Sequence, residues 1–403
     1  MPGKRPTFRH AFVLSLLTVG GCGWEANTKI APPGSAPAEV LESGAFEVPE
    51  IDETLESERT ALWSKAQQAR RDARTSLHED ELRWIATPRD ARKAFLVSTE
   101  TGFVPWGLET SIAEIPPGWH TGRQRAGEEA LYVVFGNGFA VIEGTRYDFA
   151  PGTTLGIPYG AERQLFNTGD SRVRYFSATA FPIESYLGLY HLQQLDVAGP
   201  TDTLPDVPVS ENGFDAQGRR IRLLWEEAQY RNGHVDLWSK LEARLRGGFD
   251  LARRSVGPTP AARGSRARLA SGLGHHSAWV RLMGRGQQNG FSNHLVTISG
   301  LLIDEPGAKG GNHAHMEAVL YIVQGEGYSV IDGVNTPWRA GSSLHVQGPQ
   351  TQHQHFNTGT EPAFLLRVAS GIRPLLEETV IDVFPYLWFE ARGDLEPVDQ
   401  DRR

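Results

Sequence analysis

The chain carries the same pattern of strand-like and turn-like residues twice, about 190 positions apart. Three segments match: 131–138 with 320–327, 141–144 with 330–333, and 166–169 with 356–359. The offset is 189 residues for the first two pairs and 190 for the third. A long internal repeat of this kind indicates a duplicated domain. Its short apolar runs between glycine turns predict two antiparallel, mostly β units.

Histidines concentrate in the second copy. Five of the chain's 13 histidines fall within residues 310–359, namely His313, His315, His345, His353 and His355. A His-x-His pair on a strand places both imidazoles on one face, because side chains alternate with a period of two. The second pair begins 38 residues after His315, behind two further strand-like runs, which suits an antiparallel sheet that brings the pairs together. Neutral imidazoles that converge from two strands make a site for a first-row divalent metal.

These motifs resemble those of the cupin family, whose double-stranded β-helix (jelly-roll) barrels carry His-x-His in a first motif and His-x-x-x-Asn in a second. Here the second motif runs from His353 to Asn357 and follows Pro349. The chain most resembles the gentisate 1,2-dioxygenase-like bicupins, in which three histidines hold iron. The resemblance implies that His313, His315 and His353 are the metal ligands. It favours Fe(II) as the metal and leaves Mn, Zn, Ni and Cu open.

A fourth, carboxylate ligand is not expected. Cupins that use one place it four or five residues after the second histidine, where this chain has Val319 and Leu320. Glu317 comes too early in the sequence for that role. Glu128 matches Glu317 in the first copy, although the histidines are missing there. This match indicates that Glu317 serves structure rather than coordination.

Several residues of the second copy are candidates for contact with a substrate. His355 shares the strand face of His353, so it is either a proton donor to the substrate or a packed neighbour. His345 is expected to line the barrel rather than to bind metal. The candidates for orienting a substrate are Tyr321, Gln347, Gln352, Arg367 and His355, of which His355, Tyr321 and Arg367 are the predicted catalytic residues.

The metal positions have changed in the first copy. Arg163 stands at the position of the third histidine. The first His-x-His is replaced by Arg123 with Arg125 if one gap is allowed, or by Gln124 with Ala126 without a gap. Arginine stays protonated and offers no lone pair to a cation, so this barrel is expected to be free of metal.

Arginines inside a barrel need partners. If the three arginines of the first copy converge, they would bind an anion such as a carboxylate, because guanidinium suits bidentate pairing. The favoured interpretation is that they pair with internal acids such as Glu129 or Glu162, since an unpaired buried charge is costly.

The N-terminus is expected to be an export signal. A basic start (Lys4, Arg5, Arg9), a short apolar segment and the sequence Gly-Gly-Cys22 follow one another within residues 1–22. The apolar segment is too short to span a bilayer. The signal resembles that of bacterial lipoproteins, which are cleaved and lipid-modified at such a cysteine, and the alternative is an ordinary secretory peptide. Cys22 is the one cysteine of the chain, so no disulfide is expected.

The predicted domain plan is mostly β, with two cupin barrels and helical N-terminal and connecting segments. Residues 23–50 are a flexible tether, 51–90 a helical segment, 91–200 a degenerate metal-free barrel, 201–285 a helical and loop connector, 286–392 the metal-binding barrel, and 393–403 a tail. Within the connector, residues 219–246 are expected to form one or two helices and 253–268 an exposed basic loop. His275 and His276 are expected to lie at the surface.

The predicted function follows from the resemblance. It is an iron-dependent dioxygenase of the cell envelope that acts on a small hydroxylated aromatic or hydroxy-acid. The alternative is a non-catalytic metal- and ligand-binding cupin lipoprotein. A metal-dependent isomerase or decarboxylase ranks last, because manganese decarboxylases among bicupins keep a carboxylate ligand. A net charge of −8 argues against nucleic acid as a partner. The protein is expected to contact the membrane only through the lipid anchor. Whether it forms a homo-oligomer is left open.

Overall fold

The structure, a computed structural model, describes residues 53–232, 277–283, 288–303, 306–348, 351–372, 389–390 and 394–397. Its described residues from Ala61 onward belong to one compact unit, and residues 53–60, which include the first turns of the helix Leu55–Asp72, are assigned to another. The predicted signal with Cys22, the tether, the loop at 253–268, the pair His275 and His276, and Pro349 lie outside the described ranges. Within those ranges no helix is long and apolar enough to cross a membrane.

Strands dominate the described residues. The two α-helices there are α1, Leu55–Asp72, and α2, Phe181–Tyr186. The first group of strands is β1 Ser76–His78, β2 Arg92–Phe95, β3 Glu109–Ile115, β4 Trp119–His120, β5 Gln124–Arg125, β6 Glu129–Phe135, β7 Gly138–Ile142, β8 Thr145–Phe149, β9 Thr154–Ile157, β10 Glu162–Asn167, β11 Val173–Thr179, β12 Gln193–Gln194, β13 Gly199–Pro200 and β14 Arg222–Leu223. The second group is β15 Gln229–Asn232, β16 Ser277–Met283, β17 Val296–Ile303, β18 His313–Ala314, β19 Ala318–Gln324, β20 Glu326–Ile331, β21 Val334–Arg339, β22 Ser342–Val346, β23 Gln352–Asn357, β24 Ala363–Ser370 and β25 Phe389–Glu390.

The strands form two barrels with the same topology. In the first barrel one sheet has the order β14-β9-β6-β11-β3-β2, and in the second the corresponding sheet is β1-β22-β19-β24-β17-β16-β15. The facing sheet pairs β8, β7 and β10 with β4 and β5 in the first barrel, and has the order β21-β20-β23-β18-β25 in the second. Equivalent strands of the repeat occupy equivalent places, so the predicted mostly-β architecture of two barrels is confirmed.

Tight hairpin turns recur at the same place in both copies. Glu143 and Gly144 have φ of 47° and 73°, and Asp332 and Gly333 have φ of 47° and 79°. Two successive positive φ values define the two-residue turn whose twist matches that of the flanking strands. Glycine at the second position carries one of these values without steric cost, which explains why this dipeptide pattern recurs.

The asparagine of each Phe-Asn-Thr-Gly segment holds a turn. Asn357 donates from its amide to the carbonyls of Ile303 and Glu361, at 3.2 and 2.8 Å, and accepts from the Gly359 N–H. Asn167 makes the equivalent bonds to Ile115 and Ser171 and accepts from Gly169. Both copies therefore need the asparagine for the fold, whether or not histidines are present.

Three apolar cores hold the described part of the chain together. Each barrel interior contains one, and a third lies between the barrels. Strand β19 contributes to two of them, because alternate side chains face opposite ways. Ala318, Leu320 and Ile322 point into the second barrel, whereas Val319 and Tyr321 pack between the barrels. Both faces of this sheet are thus buried.

The structure differs from the prediction for residues 51–90. Helix α1 ends at Asp72, and the chain then forms the strand β1, in which Ser76 pairs with Leu344 and His78 with Ser342. Strand β22 lies at the edge of its barrel and offers unpaired backbone groups. The long-range pairing with that edge is what overrides the local preference for helix.

The connector also differs where it is described. Arg222–Leu223 and Gln229–Asn232 are strands rather than helices, and they pair with β9 and β16. Leu223 is buried in the core between the barrels. The second barrel therefore includes β15 and β16, which precede its predicted start at residue 286.

Part of the predicted tail is held against the second barrel. Lys309 pairs with Asp394 at 2.5 Å, and the Leu395 N–H donates to Gln354 Oε1 at 2.7 Å. Strand β25 pairs with β18, so that Glu390 lies opposite His313 in the ladder. The C-terminal segment thus runs beside the strand that carries the first histidine pair.

Candidate metal centre

Two neighbouring strands bring the histidine pairs of the second barrel together. His313 on β18 lies directly opposite His353 on β23, and His315 follows just after β18. All three side chains are buried, and one ring nitrogen of each lies within 4.8 Å of those of the other two. Their ring centroids are 4.4 to 5.0 Å apart. The convergence expected from the spacing of the two pairs is therefore present.

Backbone carbonyls orient all three rings. The Nδ1 atoms of His313, His315 and His353 lie 2.8, 2.6 and 3.0 Å from the carbonyl oxygens of Gly311, Met316 and Thr351. Because a carbonyl oxygen only accepts, each Nδ1 carries a proton and Nε2 keeps the lone pair that a metal ligand needs. Three neutral nitrogen donors with fixed tautomers fit a first-row divalent cation. The cluster suggests a divalent metal, as expected.

His355 is oriented by a side-chain hydroxyl rather than by a backbone carbonyl. Its Nδ1 lies 2.7 Å from Ser329 Oγ, and the Trp338 indole N–H donates to the same oxygen at 2.9 Å. Ser329 accepts from Trp338 and still has a hydroxyl proton that it can donate to His355 Nδ1. With the hydroxyl donated in this direction, a neutral His355 carries its proton on Nε2. The ring centroid lies 5.4 Å from that of His353, so this relay places a hydrogen-bond donor beside the three-histidine cluster.

The relay of Ser329, Trp338 and His355 has no polar equivalent in the first barrel. Ser329 lies opposite His355 on the neighbouring strand, and Ala140 lies opposite Leu165 at the same places in the first barrel. Trp338 corresponds to Phe149, since each lies opposite the second glycine of its repeat. The sequence analysis did not single out Ser329 or Trp338. A comparison of the two copies position by position carries the signal, because three apolar residues become polar where the histidines occur.

A small cavity adjoins the three histidines. Its volume is about 10 Å³, which would admit roughly one water molecule or one ion. His355, Arg367, Leu301 and Leu320 line it together with the histidine cluster. Two of the three predicted catalytic residues, His355 and Arg367, thus lie at the cavity, and a guanidinium there can pair with a carboxylate in bidentate fashion.

The remaining predicted contacts lie elsewhere. Tyr321 points between the barrels, where its hydroxyl donates to Glu79 at 2.7 Å and its ring stacks on Phe176. Burial and the charge of Glu79 raise its pKa well above the usual value. Gln352 donates to Asn312 at 2.8 Å. Neither Tyr321 nor Gln352, nor the buried Gln347, is among the side chains that line the cavity.

Glu317 and His345 form a buried pair outside the cavity. His345 Nε2 lies 2.9 Å from Glu317 Oε1. The carboxylate also accepts the backbone N–H groups of Trp106 and Gly107, which belong to the first barrel. The structure therefore gives Glu317 a bridging position, in keeping with the structural role expected from its match to Glu128.

In the first barrel an ion pair fills the equivalent place. Arg163 lies opposite Gln124, as His353 lies opposite His313, so the alignment without a gap is the correct one. Arg163 is buried and pairs with Glu129 at 3.0 Å, and Arg89 pairs with the same carboxylate at 2.7 Å. Burial opposes ionisation of Glu129, but the charges of Arg89 and Arg163 outweigh it and lower the pKa of Glu129 to about 2.

The other two arginines lie closer to the surface. Arg123 and Arg125 pair with Glu162 at 3.5 and 2.8 Å. Half of the Arg123 side chain, 48%, is exposed. The three arginines therefore do not converge on one point. Pairing with internal acids, the favoured interpretation, is confirmed.

Fold and site together define a protein with two cupin domains, one of which carries a three-histidine cluster. The sequence matches the cupin domain over residues 111–179 and again over residues 300–369. Among solved structures the chain is similar to salicylate 1,2-dioxygenase from Pseudoaminobacter salicylatoxidans in its adduct with gentisate. The TM-score is 0.51 at 12% identity, over 86% of this chain and 96% of that chain. A mutant of the same enzyme in complex with gentisate gives the same values. At this level of identity the likeness is one of fold. No sequence among curated proteins matches the chain.

Proposed function

We propose that the second barrel is the catalytic centre of an iron(II)-dependent dioxygenase that acts on a small hydroxylated aromatic or hydroxy-acid. The observation that carries the proposal is the set of three buried imidazoles with every Nδ1 bonded to a backbone carbonyl. His313, His315 and His353 would hold the metal through Nε2. A divalent iron held by three neutral ligands would keep its charge and would supply the activation of dioxygen and of a chelating substrate.

Arg367 and His355 would orient the substrate. A carboxylate on the substrate pairs with the Arg367 guanidinium, whose planar shape suits two parallel hydrogen bonds. His355 donates from Nε2 to a substrate oxygen and can hold or return a proton there. Leu301 and Leu320 supply apolar walls that exclude water from the ring of the substrate.

The substrate class is supported by the chemistry of the cavity and by the structural neighbour. The neighbouring salicylate 1,2-dioxygenase is described as an adduct with gentisate, a benzoate with two hydroxyl groups. Arg367 matches the carboxylate of such a molecule in charge, and His355 matches a hydroxyl or carbonyl oxygen as a hydrogen-bond partner. We therefore favour hydroxybenzoates over neutral phenols.

The test is oxygen uptake by protein prepared without air and loaded with iron(II). A dioxygenase adds both atoms of dioxygen to its substrate, so we expect one oxygen consumed per substrate molecule for at least one member of a hydroxybenzoate panel. The same panel with benzamides in place of benzoates tests the role assigned to Arg367. Iron-loaded protein that binds hydroxybenzoates but consumes no oxygen would exclude the dioxygenase proposal.

One observation favours a non-catalytic alternative. The cavity of about 10 Å³ is smaller than any aromatic acid, so a substrate needs the surrounding side chains to move. A module that binds metal with a very small ligand needs no such movement. Oxygen uptake distinguishes the two functions, because the binding module consumes none.

The proposal includes export. The basic start, short apolar segment and Cys22 support a lipoprotein that is anchored in the cell envelope by its lipid. Such a location would place the barrels outside the cytoplasm, where iron(II) is harder to keep reduced. Manganese, zinc, nickel or copper at the same three histidines stay as alternatives for that reason.

A further inference from the structure

Glu317 connects the second barrel to the backbone of the first. Its carboxylate is fully buried, and Oε1 and Oε2 accept the N–H groups of Trp106 and Gly107 at 2.9 and 2.8 Å. These two residues lead into β3, the first long strand of the first barrel. Hydrogen bonds to a buried carboxylate are stronger than neutral ones, so this contact fixes the two backbones relative to each other.

The first barrel makes the mirror contact with Glu128. Its carboxylate accepts the N–H groups of His294 and Leu295 at 2.8 and 2.6 Å, and these residues lead into β17 of the second barrel. Glu128 and Glu317 are 189 residues apart, which is the offset of the repeat. The two contacts are therefore related by the duplication, although Glu317 also bonds His345 Nε2 at 2.9 Å, where the first copy has Gly156.

A second difference is in the adjoining segment, which carries a histidine in the second copy and an alanine in the first. His315 precedes Glu317 by two residues, whereas Ala126 precedes Glu128. The intervening segment of the second barrel is held from several sides. His315 Nδ1 bonds the carbonyl of Met316, and a Cβ at Gly348 would approach the backbone of residues 315–317 to 2.6 Å. Little space is therefore left beside the short segment that joins Glu317 to His315.

We propose that Glu317 is a positioning residue through which the first barrel orients His315, so that metal affinity in the second barrel depends on the backbone of the first. This inference rests on the proposed three-histidine metal site. Groups that bond a metal ligand directly typically change affinity by about 10- to 100-fold when they are removed, and we expect the lower end of that range for Glu317, which acts through the backbone. Glu128 makes the same kind of contact without a ligand beside it and should not affect the metal.

The experiment compares Glu317→Gln with Glu128→Gln in the full chain. Each substitution keeps the shape of the side chain and replaces one acceptor oxygen by an NH₂ group, and Glu317→Gln also alters the contact with His345 Nε2. We expect similar falls in the midpoint of thermal unfolding. Titration with Co(II), followed by its absorption spectrum, should show affinity reduced by about 10-fold in Glu317→Gln. Wild type and Glu128→Gln should bind Co(II) equally well, with the same spectrum.

A third variant, Gly107→Ala, perturbs Glu317 by a substitution in the first barrel. A Cβ at Gly107 would lie 3.1 Å from Glu317 Oε2 and 3.0 Å from Ser370, so Gly107→Ala crowds both side chains without a substitution in the second barrel. It should weaken Co(II) binding and alter the spectrum in the same direction. This variant decides the outcome if Glu317→Gln does not fold.

The outcomes are distinct. Equal Co(II) affinity in wild type, Glu317→Gln and Gly107→Ala would overturn the positioning role and leave the proposed function standing. An equal loss in Glu128→Gln would also overturn it, because the effect would then be general destabilisation. A wild-type protein that binds no Co(II), iron(II) or zinc would remove both the proposed function and this inference.

Discussion

Arg163 and His353 hold equivalent positions in the two barrels, each on the strand that pairs with the first motif of its barrel. His353 lies across from His313, and Arg163 lies across from Gln124. In the second barrel this place gathers imidazoles that can share a cation. In the first barrel it is closed by an ion pair with Glu129. The same position of the fold thus belongs to a candidate metal site in the second barrel and to a buried cluster of charged side chains in the first.

Loss of the Glu129 carboxylate should destabilise the first barrel strongly. Glu129→Gln leaves the buried Arg163 without its counter-charge and leaves Arg89 with Asp90 alone, at 3.7 Å, and breaking such a buried pair typically costs about 3–5 kcal/mol. The free energy of unfolding, measured with urea at pH 7, should fall by that amount. Asp80→Asn is the control, since it removes an exposed ion pair with Arg339 and should change the free energy by about 1 kcal/mol or less.

The same carboxylate predicts a dependence of stability on pH. Burial raises the pKa of Glu129, but the charges of Arg89 and Arg163 outweigh burial. Together they lower the pKa in the folded protein from 4.5 to about 2. A lowered pKa stabilises the fold above the unfolded pKa, and this contribution is lost as the pH falls from about 4.5 towards 2. The difference in stability between wild type and Glu129→Gln should shrink over that range. A difference that stays constant down to pH 2 would contradict the assignment.

Much of the fold follows from the sequence because the duplication is strong. The repeat offset predicts two barrels of the same topology, and the glycines mark the hairpin turns. The paired edge strands β1 and β14 are not predictable in this way, since both lie outside the repeat and are short. Their pairing with β22 and β9 depends on contacts that are distant in sequence, and local composition favoured helix instead.

Only part of the candidate site was predictable, because the sequence does not show which face of a fully buried strand lies inside the barrel. Strand alternation places Leu320 and Tyr321 on opposite faces, but it does not say which face is the barrel interior. In most sheets the apolar face answers that question, whereas here both faces are buried and apolar. From the sequence, Tyr321 is therefore predicted to contact the substrate, whereas in the structure its side chain lies between the two barrels. The histidine spacing had no such ambiguity, because both pairs had to meet on one face.

Loss of one imidazole should abolish metal binding. His353→Ala removes the residue that lies opposite His313, and two remaining imidazoles hold a divalent ion far more weakly. The metal content after dialysis, measured by mass spectrometry, should fall from about one ion per chain to about a tenth or less. A thermal shift gives a second measure, since a ligand at 100 times its Kd stabilises the folded state by about 2.7 kcal/mol.

The control for this prediction is another histidine. His191 is exposed, and His191→Ala should keep both the metal content and the metal-induced thermal shift of the wild type. If His191→Ala lost as much metal as His353→Ala, binding would be adventitious.

Cys22 should anchor the protein to the membrane. Acyl chains contribute about 0.8 kcal/mol for each buried CH₂, so two or three of them give stable attachment. The wild-type protein should enter the detergent phase on partition and incorporate a labelled fatty acid. Cys22→Ala should stay in the aqueous phase without label. An unchanged partition would favour the ordinary secretory peptide.

Arg367 should select for a carboxylate. Arg367→Lys keeps the charge but loses the planar pair of donors, so hydroxybenzoate affinity should fall by about tenfold or more. Calorimetric titration of metal-loaded protein measures this change. The corresponding hydroxybenzamides should bind wild type and variant alike, because they present no carboxylate. Metal affinity should stay the same, and a parallel loss of metal would instead assign Arg367 to the support of the histidines.

The relay behind His355 should control its tautomer. Ser329→Ala removes the donor to His355 Nδ1 and leaves the buried Trp338 N–H without its acceptor. The first effect should lower kcat by about 100-fold, as expected for a misplaced general acid, with little change in metal affinity. The second should cost about 1–3 kcal/mol in the free energy of unfolding.

The double variant Ser329→Ala with Trp338→Phe separates these two effects. It installs the pair that the first barrel carries at the same positions, Ala140 and Phe149. Removal of donor and acceptor together is close to neutral for stability, so the free energy of unfolding should recover towards that of the wild type. The value of kcat should not recover, because His355 still lacks the hydroxyl that directs its proton to Nε2. Recovery of kcat along with stability would show that Ser329 supports the fold rather than the chemistry.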